Sequence, residues 1–339
     1  MATSPGTATI VDVAREAGVS RQTVTRALNG MADISDATRE RVLAAARQLH
    51  YRPNRAAQAL VRGAGTAVGF LVENLANPYY SEMAAALTRA AAGRGWSVIL
   101  CDLGDDEAGA RDRITTLMAR IDALVLTGCR EGTVGLIPLD DLRGDLLGIP
   151  TVMLDGTPHP AVDVLVDIDH RAGVHAAVDR FVATGRRRIG LIGSTQLPSS
   201  PRHAAFRDRL DELGLHRDAR SETAGAETYQ GGADATEALL AGYPDLDAVL
   251  VYNDVMASGA LKALARRGVA VPGDVAVIGA DGLELGRMLS PELTTIDLSK
   301  PHYAGLAIDA VAALLAGAPA THRGSAGPEP QFLTVRESA

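Results

Sequence analysis

The chain has 339 residues, 47% of them hydrophobic and 22% charged, with 33 Lys and Arg against 41 Asp and Glu for a net charge of −8; this length suits about two or three domains, and the apolar content excludes wholesale disorder. Two cysteines, Cys101 and Cys129, are too few for a disulfide framework or a four-thiolate zinc site. The N-terminus meets charged residues too early for a signal peptide, and no apolar run reaches the roughly 18 residues of a bilayer span, so a cytoplasmic protein without membrane contact is expected.

The charge is unevenly spread. The first 62 residues hold nine Arg and five acids, a balance of +4, while the remainder carries 24 basic and 36 acidic side chains, a balance of −12. A small basic head on a large acidic body is compatible with a nucleic-acid partner for the head.

Thr9 is placed to N-cap a helix from Ile10 through Ala17, which Gly18 ends by taking a left-handed conformation. Ser20 then caps a second short helix, RQTVTRAL, stopped at Asn29-Gly30. Ile10, Val13, Val24, Ala27 and Leu28 fall at helical spacings that share one apolar face, and small Ala14 permits close approach. The pattern is a helix-turn-helix. A third helix follows the Ser35 cap, with Val42, Ala45, Ala46 and Leu49 as its buried stripe. On spacing alone, a helical hairpin without a ligand is the alternative. Against it stand Arg21, Gln22, Thr25 and Arg26 on the outward face, side chains that reach base edges or phosphates from a helix in the major groove. The segment after Arg52-Pro53 is built of good helix formers but is too short to hold a helix unaided. It is predicted to be disordered until something supports it, with Gly63-Ala64-Gly65 as a joint. The glycines up to Gly69 precede a strand instead of following one, which excludes a dinucleotide-binding loop.

From Thr66 onward apolar runs alternate with helical stretches: strand AVGFLV, a loop carrying Asn77, Tyr79 and Tyr80, helix SEMAAALTRAAAGRG, strand WSVILCDL, helix AGARDRITTLMARI, and strands DALVLTG and TVMLD. The pattern restarts with helix RAGVHAAVDRFVATG, strand RIGLIG, helix RHAAFRDRLDELG, Tyr229 in a loop of unfixed register, helix GGADATEALLAG, strand AVLVYND, helix VMASGALKALARRG and strand VAVIGAD. Such alternation predicts parallel sheets with helices on both faces. Two doubly wound sheets fit the count better than one very wide one. A ligand is then expected at the carboxyl ends of the strands, in the cleft between the halves.

The runs TIVDVAREAGVSRQTVTRALNG and SDATRERVLAAARQLHYRPNRAAQAL resemble the DNA-binding headpiece and hinge of the LacI/GalR bacterial transcription regulators. The likeness continues through AVGFLVENLANPYYSEM, GRRRIGLIG, RHAAFRDRL, AVLVYNDVMASGAL, VAVIGADG, SPELTTID and FLTVRES. It implies an α/β protein with a three-helix headpiece (1–52), a hinge helix and linker (53–65) and a periplasmic-binding-protein-like core (66–339). The core divides into one subdomain at about 66–165 plus 298–325 and a second at about 166–297, with a C-terminal strand at 330–337. It also implies a homodimer on a pseudo-palindromic double-stranded operator. By the same resemblance Thr9, Thr23 and Asn29 hold phosphates, Arg21, Gln22 and Arg26 read bases, and Ser20 and Thr25 share that surface. Leu60 matches a hinge leucine that wedges into the minor groove, with Asn54 and Ala57 beside it.

The resemblance further implies an effector site made by Asn77, Tyr79, Tyr80, Asp155, Asp169, Arg202, Asn253 and Asp281. Carboxylates, amides and one Arg around aromatic rings suit a polyhydroxylated ligand, so a sugar or sugar derivative is expected. A corepressor-type regulator answering to a non-sugar metabolite and a cytoplasmic solute-binding protein are the alternatives. No catalytic constellation, cofactor or metal site is predicted. The histidines show no metal-ligand spacing, and Asp105-Asp106-Glu107 reads as a loop or helix start. No leucine heptad follows FLTVRES, so a dimer is expected.

Overall fold

A computed structural model describes residues 9–28, 33–49, 65–104, 107–127, 149–156, 158–159, 162–215, 218–318 and 329–339. Three helices open the chain: α1 (Ile10–Glu16), α2 (Arg21–Leu28) and α3 (Asp36–Gln48). They bury Val13, Ala14, Ala17, Val24, Ala27, Val42, Ala45 and Ala46 in one small core, edged by Ile10, Val19, Leu28, Ile34 and Leu49. Gly18, at φ +65°, makes the turn between α1 and α2 without a Cβ penalty. Asn29, Asn54, Ala57, Leu60, the hinge segment and Cys129 lie outside the described residues.

The described residues form two compact units, one within 1–74, 87–166 and 305–325 and the other within 75–86, 167–304 and 326–339. After the headpiece come β1 (Ala67–Val72), α4 (Pro78–Ala92), β2 (Ser97–Asp102), α5 (Glu107–Met118), β3 (Ala123–Thr127), β4 (Thr151–Leu154) and β5 (Val164–Val166). The five strands make one parallel sheet in the order β2-β1-β3-β4-β5. Its central strands read as continuous apolar runs because both faces are covered. Leu71, Ile114, Leu117, Leu124, Leu126 and Met153 fill one of its cores.

The second unit begins with β6 (Ile168–Asp169) and continues with α6 (His170–Ala183), β7 (Ile189–Ser194), α7 (Pro201–Glu212), β8 (Glu222–Gly225), α8 (Tyr229–Gly242), β9 (Ala248–Val251), α9 (Asp254–Arg266), β10 (Ala276–Ala280) and β11 (Thr294–Asp297). Helix α10 (Lys300–Leu315) and short strands β12 (Glu329–Pro330) and β13 (Phe332–Thr334) complete the chain. A six-stranded sheet runs β13-β11-β10-β9-β7-β8. It is parallel except at its edge, where β13 pairs antiparallel with β11. Strand β7 sits between β8 and β9, so the winding of the sheet reverses beside it; such a switch point leaves a crevice at the carboxyl ends of the strands.

Two local readings are corrected. Asn77, Tyr79 and Tyr80 are not a free loop: α4 starts at Pro78, and the Asn77 side chain caps it by accepting from the Tyr79 N–H at 3.0 Å. Proline tolerates the first helical position because its missing N–H has no partner there. Likewise Tyr229 opens α8 behind a Thr228 cap.

Candidate functional sites

On α2 the buried Val24 and Ala27 fix which way the helix faces, and this leaves Arg21, Gln22, Thr25 and Arg26 exposed together. The helix start is held by Ser20, whose hydroxyl accepts from the Thr23 N–H at 3.1 Å and lies 2.9 Å from the Thr23 hydroxyl. Thr25 donates back to the Arg21 carbonyl at 3.1 Å. Arg26 is paired with Asp33 at 3.0 Å. At α1 the Asp12 carboxylate accepts from both the Thr9 N–H, at 2.9 Å, and the Thr9 hydroxyl, at 2.6 Å. These bonds hold Asp12 below the ordinary carboxylate range. A phosphate would have to displace Asp12 to take that hydroxyl.

In the six-stranded unit, Arg202 gathers a polar cluster. It stands in the first turn of α7, behind Pro201 and the Ser200 cap. Its Nη1 donates to the Tyr252 carbonyl at 2.7 Å, its Nε to His170 Nδ1 at 3.4 Å, and its Nη2 lies 3.6 Å from Asp281 Oδ1. The guanidinium also stacks 5.0 Å from the Tyr252 ring centre.

Asp281 follows β10 at φ +106°, a left-handed conformation that few non-glycine residues adopt and that recurs at functional positions. Burial pushes its pKa up to about 6 against the pull of Arg202 and Lys300, and Glu227 adds to the rise. Lys300, buried at the start of α10, donates to the Asp281 and Gly282 carbonyls at 2.5 and 3.1 Å and meets Glu82 at 3.2 Å. Asn253 is buried and caps α9 by accepting from the Met256 N–H at 2.8 Å. Next to it, Asp254 accepts from the Thr295 hydroxyl and the Leu283 N–H, both at 2.7 Å. Gly279 is required there, since a Cβ would fall on the Asp254 carboxylate.

Of the residues expected at the effector site, Arg202 and Asp281 meet directly. Asp169 caps α6, accepting from the Ala172 N–H at 3.2 Å, and so sets His170 beside Arg202. Tyr79 and Tyr80 are buried and meet edge to face, with ring centres 5.2 Å apart. Asp155 belongs to the five-stranded unit, where it follows β4 at φ +52° and donates its N–H to the Val166 carbonyl. His170, Tyr252, Asp254, Glu227 and Lys300 were not anticipated. The sequence did carry one sign of Lys300, which is one of only two lysines in the chain.

Cys101 is buried in β2 and burial pushes its thiol up, which suits packing and not nucleophilic chemistry. Among the described residues no group of three or more His, Cys, Asp and Glu is arranged to hold a metal ion, and no helix is long and apolar enough to cross a membrane.

Comparison with known proteins places family models on both parts of the chain. Residues 9–54 match the model of bacterial regulatory proteins of the lacI family, and residues 178–339 match a periplasmic binding protein-like domain. The ribose operon repressor of Escherichia coli (strain K12) is 34% identical over 305 residues, covering 89% of this chain and 91% of the relative. Among solved structures, a complex of the transcriptional regulator CelR with cellobiose aligns at TM-score 0.70 and 28% identity, covering 98% of this chain and 100% of that one. The lac repressor dimer bound to operator and the anti-inducer ONPF aligns at TM-score 0.68 and 26% identity, covering 98% of this chain and 99% of that one.

Proposed function

The chain belongs to the lacI family of bacterial regulatory proteins, and from that premise we propose that it is a repressor whose hold on operator DNA is controlled by a small sugar-like effector bound to its core. It is a DNA-binding transcription regulator, not an enzyme. The observation that carries the reading is the face of α2: a short capped helix, turned by its buried Val24 and Ala27, offers Arg21, Gln22, Thr25 and Arg26 to a major groove. Arg and Gln forks specify bases, while Thr9, Thr23 and Asn29 hold phosphates and Ser20 belongs to the same DNA-binding set.

In this reading residues 1–52 are the headpiece, 53–65 the hinge with Asn54, Ala57 and the wedging Leu60, and 66–339 the core. The protein works in the cytoplasm as a homodimer, with one headpiece on each half of a pseudo-palindrome. The effector contacts assigned to the six-stranded unit are Arg202, Asp281, Asn253, Asp169, Asn77, Tyr79 and Tyr80. Support comes from the strained, buried Asp281 and the multiply engaged Arg202 at a sheet switch point, where ligands bind in such folds.

The test is selection from a pool of randomised duplexes at fixed salt, followed by a panel of sugars added to the selected complex. A palindrome released by one sugar is the expected result, and Arg202→Ala should then hold the operator without responding to that sugar. Absence of any enriched palindrome would overturn the DNA-binding assignment. A full response by the Arg202 variant would remove that residue from the effector site.

A further inference from the structure

Parallel α/β sheets have two means of holding an anion at their carboxyl edge: the N–H groups of helix N-termini and basic side chains. In the six-stranded unit the basic side chains are paired, and one N–H at each helix start is bound by a cap. Helices α7, α8 and α9 leave the ends of β7, β8 and β9, and each start is capped by the chain's own side chain: Ser200 on the Arg202 N–H at 3.3 Å, Thr228 on the Gly231 N–H at 3.0 Å and Asn253 on the Met256 N–H at 2.8 Å. Helix α6, whose first residue touches Arg202, is capped by Asp169.

Arg202 and Lys300 are each matched as well. Arg202 faces Asp281 and spends its other nitrogens on Tyr252 and His170. Lys300 faces Glu82 and two carbonyls. A further carboxylate, Glu227, stands in the turn between β8 and α8, where Ser194 at the end of β7 donates to its Oε1 at 2.6 Å. That bond sets Glu227 at the carboxyl end of β7, the strand that leads into the Arg202 helix.

We propose that the effector of this site carries no negative charge: it is a neutral, hydroxyl-rich molecule whose hydroxyls donate to Glu227 and Asp281, and a phosphorylated ligand is excluded. The inference rests on the Arg202 cluster being the effector site. A phosphate dianion would meet the Asp281 and Glu227 carboxylates, with Arg202 and Lys300 each already paired to a carboxylate of the protein. A sugar hydroxyl supplies the donors that carboxylates accept, and hydrogen bonds to charged groups are the stronger kind.

The experiment measures operator release and binding to the full-length protein at one salt concentration. The probes are ribose, glucose and adenosine, each beside its phosphate monoester. One neutral member should bind at least about tenfold more tightly than its ester. Glu227→Gln should weaken the neutral member by about tenfold and narrow its lead over the ester, with the melting temperature of the variant as the check on folding. An ester that binds as tightly as its neutral partner, or more so, overturns the proposal while leaving a sugar effector standing. A response to adenosine, with none to either sugar, overturns the sugar reading and leaves the exclusion of charge intact. Unchanged affinity and selectivity in the Glu227 variant remove that residue from the site.

Discussion

Asp254 is wholly buried beside Gly279, with its two oxygens engaged by Thr295 and Leu283. Burial, reinforced by the nearby Asp281 carboxylate, pushes its pKa up to about 8, while its hydrogen bonds and Lys300 pull the other way. An unfolded aspartate titrates near about 3.9. The folded state therefore binds the proton more tightly, and the stability this adds is fully present below about pH 4. It is lost as pH rises toward and through the folded value, with a slope of at most about 1.4 kcal/mol per pH unit. The melting temperature of the wild type should fall between mildly acidic and mildly alkaline pH, and Asp254→Asn should flatten that fall whatever its absolute stability. Parallel curves for the two proteins would show that Asp254 is ionised in the folded state throughout. Asp281, held at about 6, works in the same direction over a lower window and keeps some slope in the variant.

Helix α2 is braced from outside by Asp33, which holds Arg26 at 3.0 Å with both side chains about half exposed. Exposed ion pairs add little stability; under the proposed base-reading role of Arg26, this one orients the guanidinium fork. Asp33→Asn should leave melting unchanged but lower discrimination at one position of each half-site by a few-fold, out of the roughly tenfold or more that a bidentate Arg supplies. Binding to singly substituted operators checks this, and an equal gain at every position would mean that Asp33 acts only as a repelling charge. The hinge is the second such element. Leu60→Ala should weaken operator binding while the core still takes its effector, and unchanged operator affinity would overturn the wedge assignment. The headpiece helices were legible because caps at Thr9, Ser20 and Ser35 coincide with an apolar stripe that has one possible partner face. Strands β5, β6 and β8 were not, having only three, two and four residues, too few for a periodic signal. The Asn-Pro step hid the first turn of α4, since the same residues start a helix or make a loop. For the site, polar residues at strand ends could be read, as with Asn253 and Asp281. His170 and Tyr252 could not, because they reach Arg202 across 32 and 50 residues of chain and only the folded sheet brings them there.

The whole molecule joins a headpiece that binds a polyanion to a core carrying the acidic excess, so its two ligands should answer to salt in opposite ways. Operator affinity depends on counterions released from phosphates, with a logarithmic slope of about 0.9 per contact. A neutral effector releases none, and its affinity for the free protein should be nearly flat over the same range. In the proposed domain division the hinge is what would link the two responses. Arg52, Arg55 and Arg62 lie in or beside the segment expected to fold only on DNA. If effector binding releases the operator by unfolding the hinge, the residual complex keeps the headpiece contacts and loses those of the hinge in both protomers. Its salt slope should then be shallower than that of the effector-free complex by roughly two to five. Titrations of one operator at several salt concentrations, with and without saturating effector, measure both slopes. Equal slopes would mean that the effector weakens all DNA contacts alike and that coupling bypasses the hinge. A shallower slope with effector would assign the bistable element to the hinge, and linkage then requires operator DNA to weaken effector binding by the same factor.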